Sequence, residues 1–149
     1  MKLLDNSRLW QLILVVMMVP LVFIAFWPSP VDQPMQSQLA EFLSFLHRSG
    51  MPSWFNYKFV EASANVALFV PFGVVSALAF PKKRWWQVGA FGLLISCCME
   101  LGQLLFLHNR FASPVDLVTN TSGAVIGALL ASVAVKRLEV HRPRAADLQ

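Results

Sequence analysis

Four long apolar runs, each bounded by a short polar stretch, set the pattern of this 149-residue chain: about 9–27, 62–80, 87–107 and 114–135. A bilayer span needs roughly 20 consecutive apolar residues, so each run predicts a membrane-crossing helix. The longest connection, 28–60, carries prolines at both ends and a helical pattern between them. Leu39, Phe42, Leu43 and Leu46 fall at i, i+3, i+4 and i+7, with Gln38, Glu41 and Ser44 opposite. Gly50 and Pro52 end that pattern. A segment this short and amphipathic is expected to lie in the membrane interface. Trp54, Phe55 and Tyr57 beside Lys58 then read as an aromatic belt where the next span begins. The expected fold is an all-α membrane protein: a four-helix transmembrane bundle with an amphipathic interfacial helix between the first and second spans. Residues 1–8 form a short amino-terminal segment, 9–135 the transmembrane domain, and 136–149 a polar, basic, partly disordered tail.

Two runs carry internal breaks. Pro20 in the first removes a backbone donor and frees the carbonyl of Val16, which predicts a kink. That run also competes with a signal peptide, but it is too long for an h-region and the exit A-F-W-P-S-P has no small-x-small cleavage site. A retained first helix is the expectation. In the second run Pro71 and Gly73 weaken the middle, as in a kinked packing helix or a hinge.

Composition agrees with this class. Hydrophobic residues make up 56% and charged residues 13% of the chain, which points away from a soluble domain. The net charge of +4 does not signal nucleic acid, because the basic residues cluster beside apolar runs and not along one polar face. Cys97 and Cys98 are adjacent inside an apolar run and read as small packing residues. His47, His108 and His141 are scattered, so no metal-ligand spacing is visible and no cofactor is expected. Lys2, Arg8, Lys82, Lys83, Arg84, Lys136, Arg137, Arg142 and Arg144 fall on one side of the predicted spans, against Arg48, Lys58 and Arg110 on the other. The positive-inside rule places both termini in the cytoplasm, with residues 28–60 and the Arg110 turn outside.

That topology gathers the polar residues of the apolar runs. The second span enters from outside with Glu61 and Asn65 one turn apart, the third leaves through Glu100 and Gln103, and the fourth begins with Asp116 and Asn120. Glu100 lies seven residues before Leu107, roughly 10 Å below the outer boundary. Polar groups at such depth pair with one another or serve a function. Ser113, Pro114 and Asp116 fit the N-cap, N1 and N3 positions of the fourth helix. Asn65, Gln103 and Asn120 suit interhelical hydrogen bonding or ligand contact equally. Glu100 is open to two readings, an ion pair with Arg110 or a functional acidic pocket. Gly123 and Gly127 form a GxxxG on the face of Asp116 and Asn120, which predicts a close helix contact within the protein or between copies.

Three segments together resemble the VanZ-like family of small bacterial membrane proteins: N-V-A-L-F-V-P-F-G at 65–73, E-L-G-Q at 100–103, and R-F-A-S-P-V-D-L-V-T-N-T-S-G-A-V-I-G at 110–127. The resemblance covers the second span and the second half of the chain, while the 28–60 connection departs from the family pattern in length and in its amphipathic helix. It implies a multi-helix protein of the bacterial inner membrane, whose family namesake is linked to resistance against teicoplanin and related glycopeptides. By position the family's polar pattern falls on Asn65, Glu100, Gln103, Arg110, Asp116 and Asn120.

The function expected is an envelope protein that presents an outward acidic and amide pocket to membrane lipids or another amphiphilic ligand at the outer leaflet. A proton-coupled efflux unit using Glu100, assembled as a homo-oligomer through Gly123 and Gly127, is the alternative from the transporter class. A scaffold for other envelope proteins is the third. No serine, cysteine or histidine constellation for nucleophilic catalysis is legible, and an enzyme is the least supported reading.

Overall fold

The structure, a computed structural model, describes residues 6–27, 35–107 and 113–140. The described residues form five helices and no strand: α1 Ser7–Ala25, α2 Gln36–Arg48, α3 Tyr57–Ala79, α4 Trp85–Phe106 and α5 Pro114–Val140. All but α2 are long and apolar enough to cross a membrane. The expected four-span bundle with a short helix between the first two spans is therefore the observed architecture.

The helix ends differ from the hydropathy boundaries for local reasons. α3 starts at Tyr57, earlier than the apolar run, because the Asn56 side chain accepts the Phe59 N–H at 3.2 Å and caps the helix there. α5 continues through Lys136 to Val140, residues that hydropathy assigned to the tail. Nothing within this stretch breaks a helix, so loss of hydropathy ends the span before it ends the helix. α1 and α3 each run as one continuous helix through Pro20 and Pro71.

The amphipathic segment closes as its sequence predicts. Gly50 has φ of 97°, and the Gly50 N–H reaches the His47 carbonyl at 3.2 Å while the Met51 N–H reaches Leu46 at 3.0 Å. That is a Schellman ending, which requires a left-handed residue after the cap. Leu43 is buried and Leu39 and Leu46 are half-buried, whereas Phe42 stays 55% exposed. The His47 ring meets the Phe55 carbonyl at 3.0 Å and ties the end of α2 to the turn where Trp54, Phe55 and Phe59 cluster.

α3 is the centre of the bundle and packs against each of the other four helices. It runs parallel to α5, and small residues let the two backbones meet. A Cβ on Gly73 would strike the Ala124 carbonyl, one on Gly123 would strike Val66, and one on Gly127 would strike Val70. The GxxxG face is thus spent on α3 of the same chain. α4 packs antiparallel to α5, where Gly92 meets the Ala124 methyl and Gly89 meets Val125, and also meets α3, where Phe91 stacks on Phe72. Phe69, Phe72, Val75, Ala79 and Ala124 form the core with Leu14 and Leu21 of α1. The outer face of α1 is bare and apolar, with Val15 65% and Val19 67% exposed. An apolar face of that extent fits a lipid environment. Cys97 and Cys98 are free thiols on an exposed part of α4.

Candidate functional site

The polar residues gather at the end of the bundle where α3 and α5 begin and α1 and α4 finish. Their arrangement starts with the first turn of α5. Pro114 opens the helix, and the Ser113 hydroxyl faces the Asp116 N–H at 3.4 Å, as an N-cap does. In a capping box the N3 side chain would return to the N–H of the cap residue. Here Glu100 of α4 takes that place, its Oε2 accepting the Ser113 N–H at 2.8 Å. Asp116, at N3, instead accepts from the Asn65 side-chain amide of α3 at 2.9 Å. Both carboxylates also sit near the positive end of the α5 dipole, which favours negative charge. The start of α5 is consequently fastened to α3 by one acid and to α4 by the other.

Two further bonds extend the cluster. Gln103 Nε2 donates to the Ala25 carbonyl at 2.8 Å, a group left without an intrahelical partner by the end of α1. One turn inward of Asp116 on α5, Asn120 Nδ2 donates to the Ser96 hydroxyl at 2.9 Å. Glu100, Gln103 and Asn120 are each 8% exposed and Ser96 is fully buried. The Asn120 carbonyl oxygen, Oδ1, is buried with no hydrogen-bond partner among the described residues. Leaving such an acceptor unpaired costs about 1–3 kcal/mol.

Of the residues singled out in the sequence, Asn65, Glu100, Asp116 and Asn120 come together across α3, α4 and α5. Gln103, about one turn beyond Glu100 on α4, joins by its bond to α1. Glu61 lies one turn outward of Asn65 with an exposed side chain. Arg110, expected above the cluster, lies outside the described residues. Gly123 and Gly127 face α3 below it. Ser96 was not singled out: a single serine in an apolar run gives no signal until its partner on another helix is known. The Ala25 carbonyl gives none at all, since every residue has one. Among the described residues no group of three or more His, Cys, Asp or Glu side chains is placed to hold a metal ion.

Chemically, the cluster holds two carboxylates and an amide oxygen without a partner among the described residues, and the Asn65, Gln103 and Asn120 side-chain amides each donate one hydrogen bond within the protein. No curated protein matches the chain, and no solved structure does. Residues 10–135 match the VanZ/LLP1 family model, and the chain belongs to that family.

Proposed function

We propose that this is a multi-pass protein of the bacterial inner membrane, with both termini in the cytoplasm, that uses the polar cluster to receive the head group of an outer-leaflet amphiphile. The observation that carries this reading is the Asn120 Oδ1, a buried acceptor without a partner among the described residues, in the cluster that also holds the buried Glu100. A buried acceptor without a partner among the described residues suits a ligand that brings a donor, such as an ammonium or amide group. Orientation rests on the distribution of Lys and Arg. A link to glycopeptide resistance is part of this proposal and rests on the resemblance to the VanZ-like family.

The test is a titration of the delipidated full chain in detergent with phosphatidylethanolamine and with phosphatidylcholine, followed by native mass spectrometry. The ethanolamine ammonium donates hydrogen bonds and the choline head group cannot, so wild type should prefer the former. Glu100→Gln should remove that preference without shifting the thermal unfolding midpoint. Equal binding of the two lipids by wild type, or a preference that survives Glu100→Gln, would overturn the reading. A parallel arm titrates teicoplanin. Binding that depends on Glu100 would connect the cluster to glycopeptides, and no binding would remove that connection.

A further inference from the structure

The opposite end of the bundle holds a second feature that the polar cluster does not involve. Where α3 ends and α4 begins, Ser76, Phe80, Lys83, Gln87, Val88 and Phe91 line a groove of about 270 Å³. Its walls are apolar, with Phe80 and Phe91 in edge-to-face contact at 6.4 Å. Ser76 on its wall is 0% exposed, and its hydroxyl has no hydrogen-bond partner among the described residues. Lys83 lines the groove with its side chain exposed, and Lys82 and Arg84 flank it in the sequence of the loop. Trp85 and Trp86 follow at 50% and 51% exposure.

These parts have a common logic. The loop is fixed and not slack: the Lys83 N–H bonds to the Phe80 carbonyl at 2.9 Å, and Gln87 Oε1 accepts the Arg84 N–H at 3.0 Å. Lys83 is therefore held at an apolar slot, in a loop with two further cations and next to exposed tryptophans of the kind that settle at the level of lipid head groups. Basic pockets between spans are suited to the phosphates of anionic lipids. The buried hydroxyl is a polar group placed where an alkyl chain alone would want none. An ester carbonyl just below a phosphate would supply its missing partner.

We propose that this groove is a seat for one anionic phospholipid, with the phosphate at Lys83, the glycerol ester at Ser76 and the upper acyl segment against Phe80, Val88 and Phe91. The occupant is a membrane lipid and not a free anion, because most of the lining is apolar. The site is independent of the polar cluster at the other end of the bundle.

The experiment titrates the delipidated full chain with phosphatidylglycerol and phosphatidylcholine and reads lipid occupancy by native mass spectrometry. Wild type should prefer phosphatidylglycerol. Lys83→Gln should lower its affinity about fivefold, the scale expected for one cation at a lipid surface, and lower that of phosphatidylcholine less, because the choline cation already offsets the phosphate that both lipids carry. Lys136 stands at the same end of the bundle on α5 and is not part of the groove, so Lys136→Gln should bind phosphatidylglycerol as wild type does. Ser76→Ala removes an unpaired buried hydroxyl, so the fold should be retained, and it should weaken both lipids because both carry the ester. Excess inorganic phosphate should not displace the lipid. Equal losses in Lys83→Gln and Lys136→Gln would reduce the effect to diffuse charge and overturn the seat. So would unchanged binding by Ser76→Ala, or displacement by phosphate. Glu100→Gln should have no effect on phosphatidylglycerol, which separates this site from the one at the other end.

Discussion

Asn120 on α5 donates its side-chain amide to the hydroxyl of Ser96 on α4 at 2.9 Å, and both residues are buried. The bond joins antiparallel helices just inward of the acids and just outward of the Gly92–Ala124 contact. It therefore sits between a polar end and a close-packed middle. Interhelical hydrogen bonds in membranes average about 0.6 kcal/mol, reaching roughly 1.7. A double-mutant cycle of Ser96→Ala and Asn120→Ala, read by unfolding in mixed micelles, should return a coupling in that range. A coupling indistinguishable from zero would mean that the two side chains pack together without bonding.

The α3–α5 contact should be the least tolerant of added bulk. Gly127→Ile places a branched side chain where the Val70 carbonyl and the Val74 amide of α3 already stand. Overpacking of this kind costs about 1–3 kcal/mol or more. Because the face meets α3 of the same chain, the substitution should lower thermal stability without changing the mass of the detergent-corrected particle. A loss of oligomer at unchanged stability would place the glycine face between copies instead.

Gly50 makes the complementary case. Nothing lies within 4 Å of the Cβ that an alanine would add, yet the backbone there has φ of 97°. Gly50→Ala should cost about 1 kcal/mol through backbone conformation alone, seen as fraying at the end of α2 in hydrogen exchange. Full retention of protection at 46–51 would show that the Schellman ending does not depend on glycine.

The sidedness proposed for the chain has a direct check. Arg48 ends α2 and Arg84 precedes α4, with the single span α3 between them. Reporter fusions after these two residues should give opposite signals, periplasmic at Arg48 and cytoplasmic at Arg84. The reverse pattern would invert the bundle and with it the leaflet assigned to each site.

What was legible in the sequence follows from how each feature is encoded. The spans were legible because hydropathy over some 20 residues is a one-dimensional signal. The start of α5 was legible because Ser113, Pro114 and Asp116 form a local code. Gly123 and Gly127 were seen as a contact face, but their partner was not, since Gly73 in α3 read as a weak point in a helix and not as the other half of a junction. Asp116 holds the N3 position that its local sequence gives it, but its bond to Asn65, 51 residues away, has no local signal. Glu61 shares a helix face with Asn65 by spacing, yet it sits one turn nearer the end, where it is exposed. Spacing gives the direction of a side chain and leaves its burial to the neighbouring helices.

Glu100 offers the sharpest test, because three roles for it predict different combinations of stability and binding. Its Oε2 accepts the Ser113 N–H, and a glutamine presents a carbonyl oxygen of the same geometry. If holding the start of α5 is its structural task, Glu100→Gln should leave the unfolding midpoint near wild type, and Glu100→Leu should lose about 1–3 kcal/mol by leaving a shielded N–H unpaired. If instead Glu100 neutralises Arg110, Glu100→Gln should itself be destabilising, and the double change with Arg110→Gln should recover much of the loss. If the charge serves a ligand, Glu100→Gln should be stable but should not bind, and adding Arg110→Gln should not restore binding. The arrangement at Ser113, together with the buried Asn120 acceptor, favours the first and third outcomes occurring together: a stable Glu100→Gln protein, an unstable Glu100→Leu protein, and loss of head-group binding in both. Rescue of both stability and binding by the double substitution would leave the cluster as an ion pair and remove the pocket.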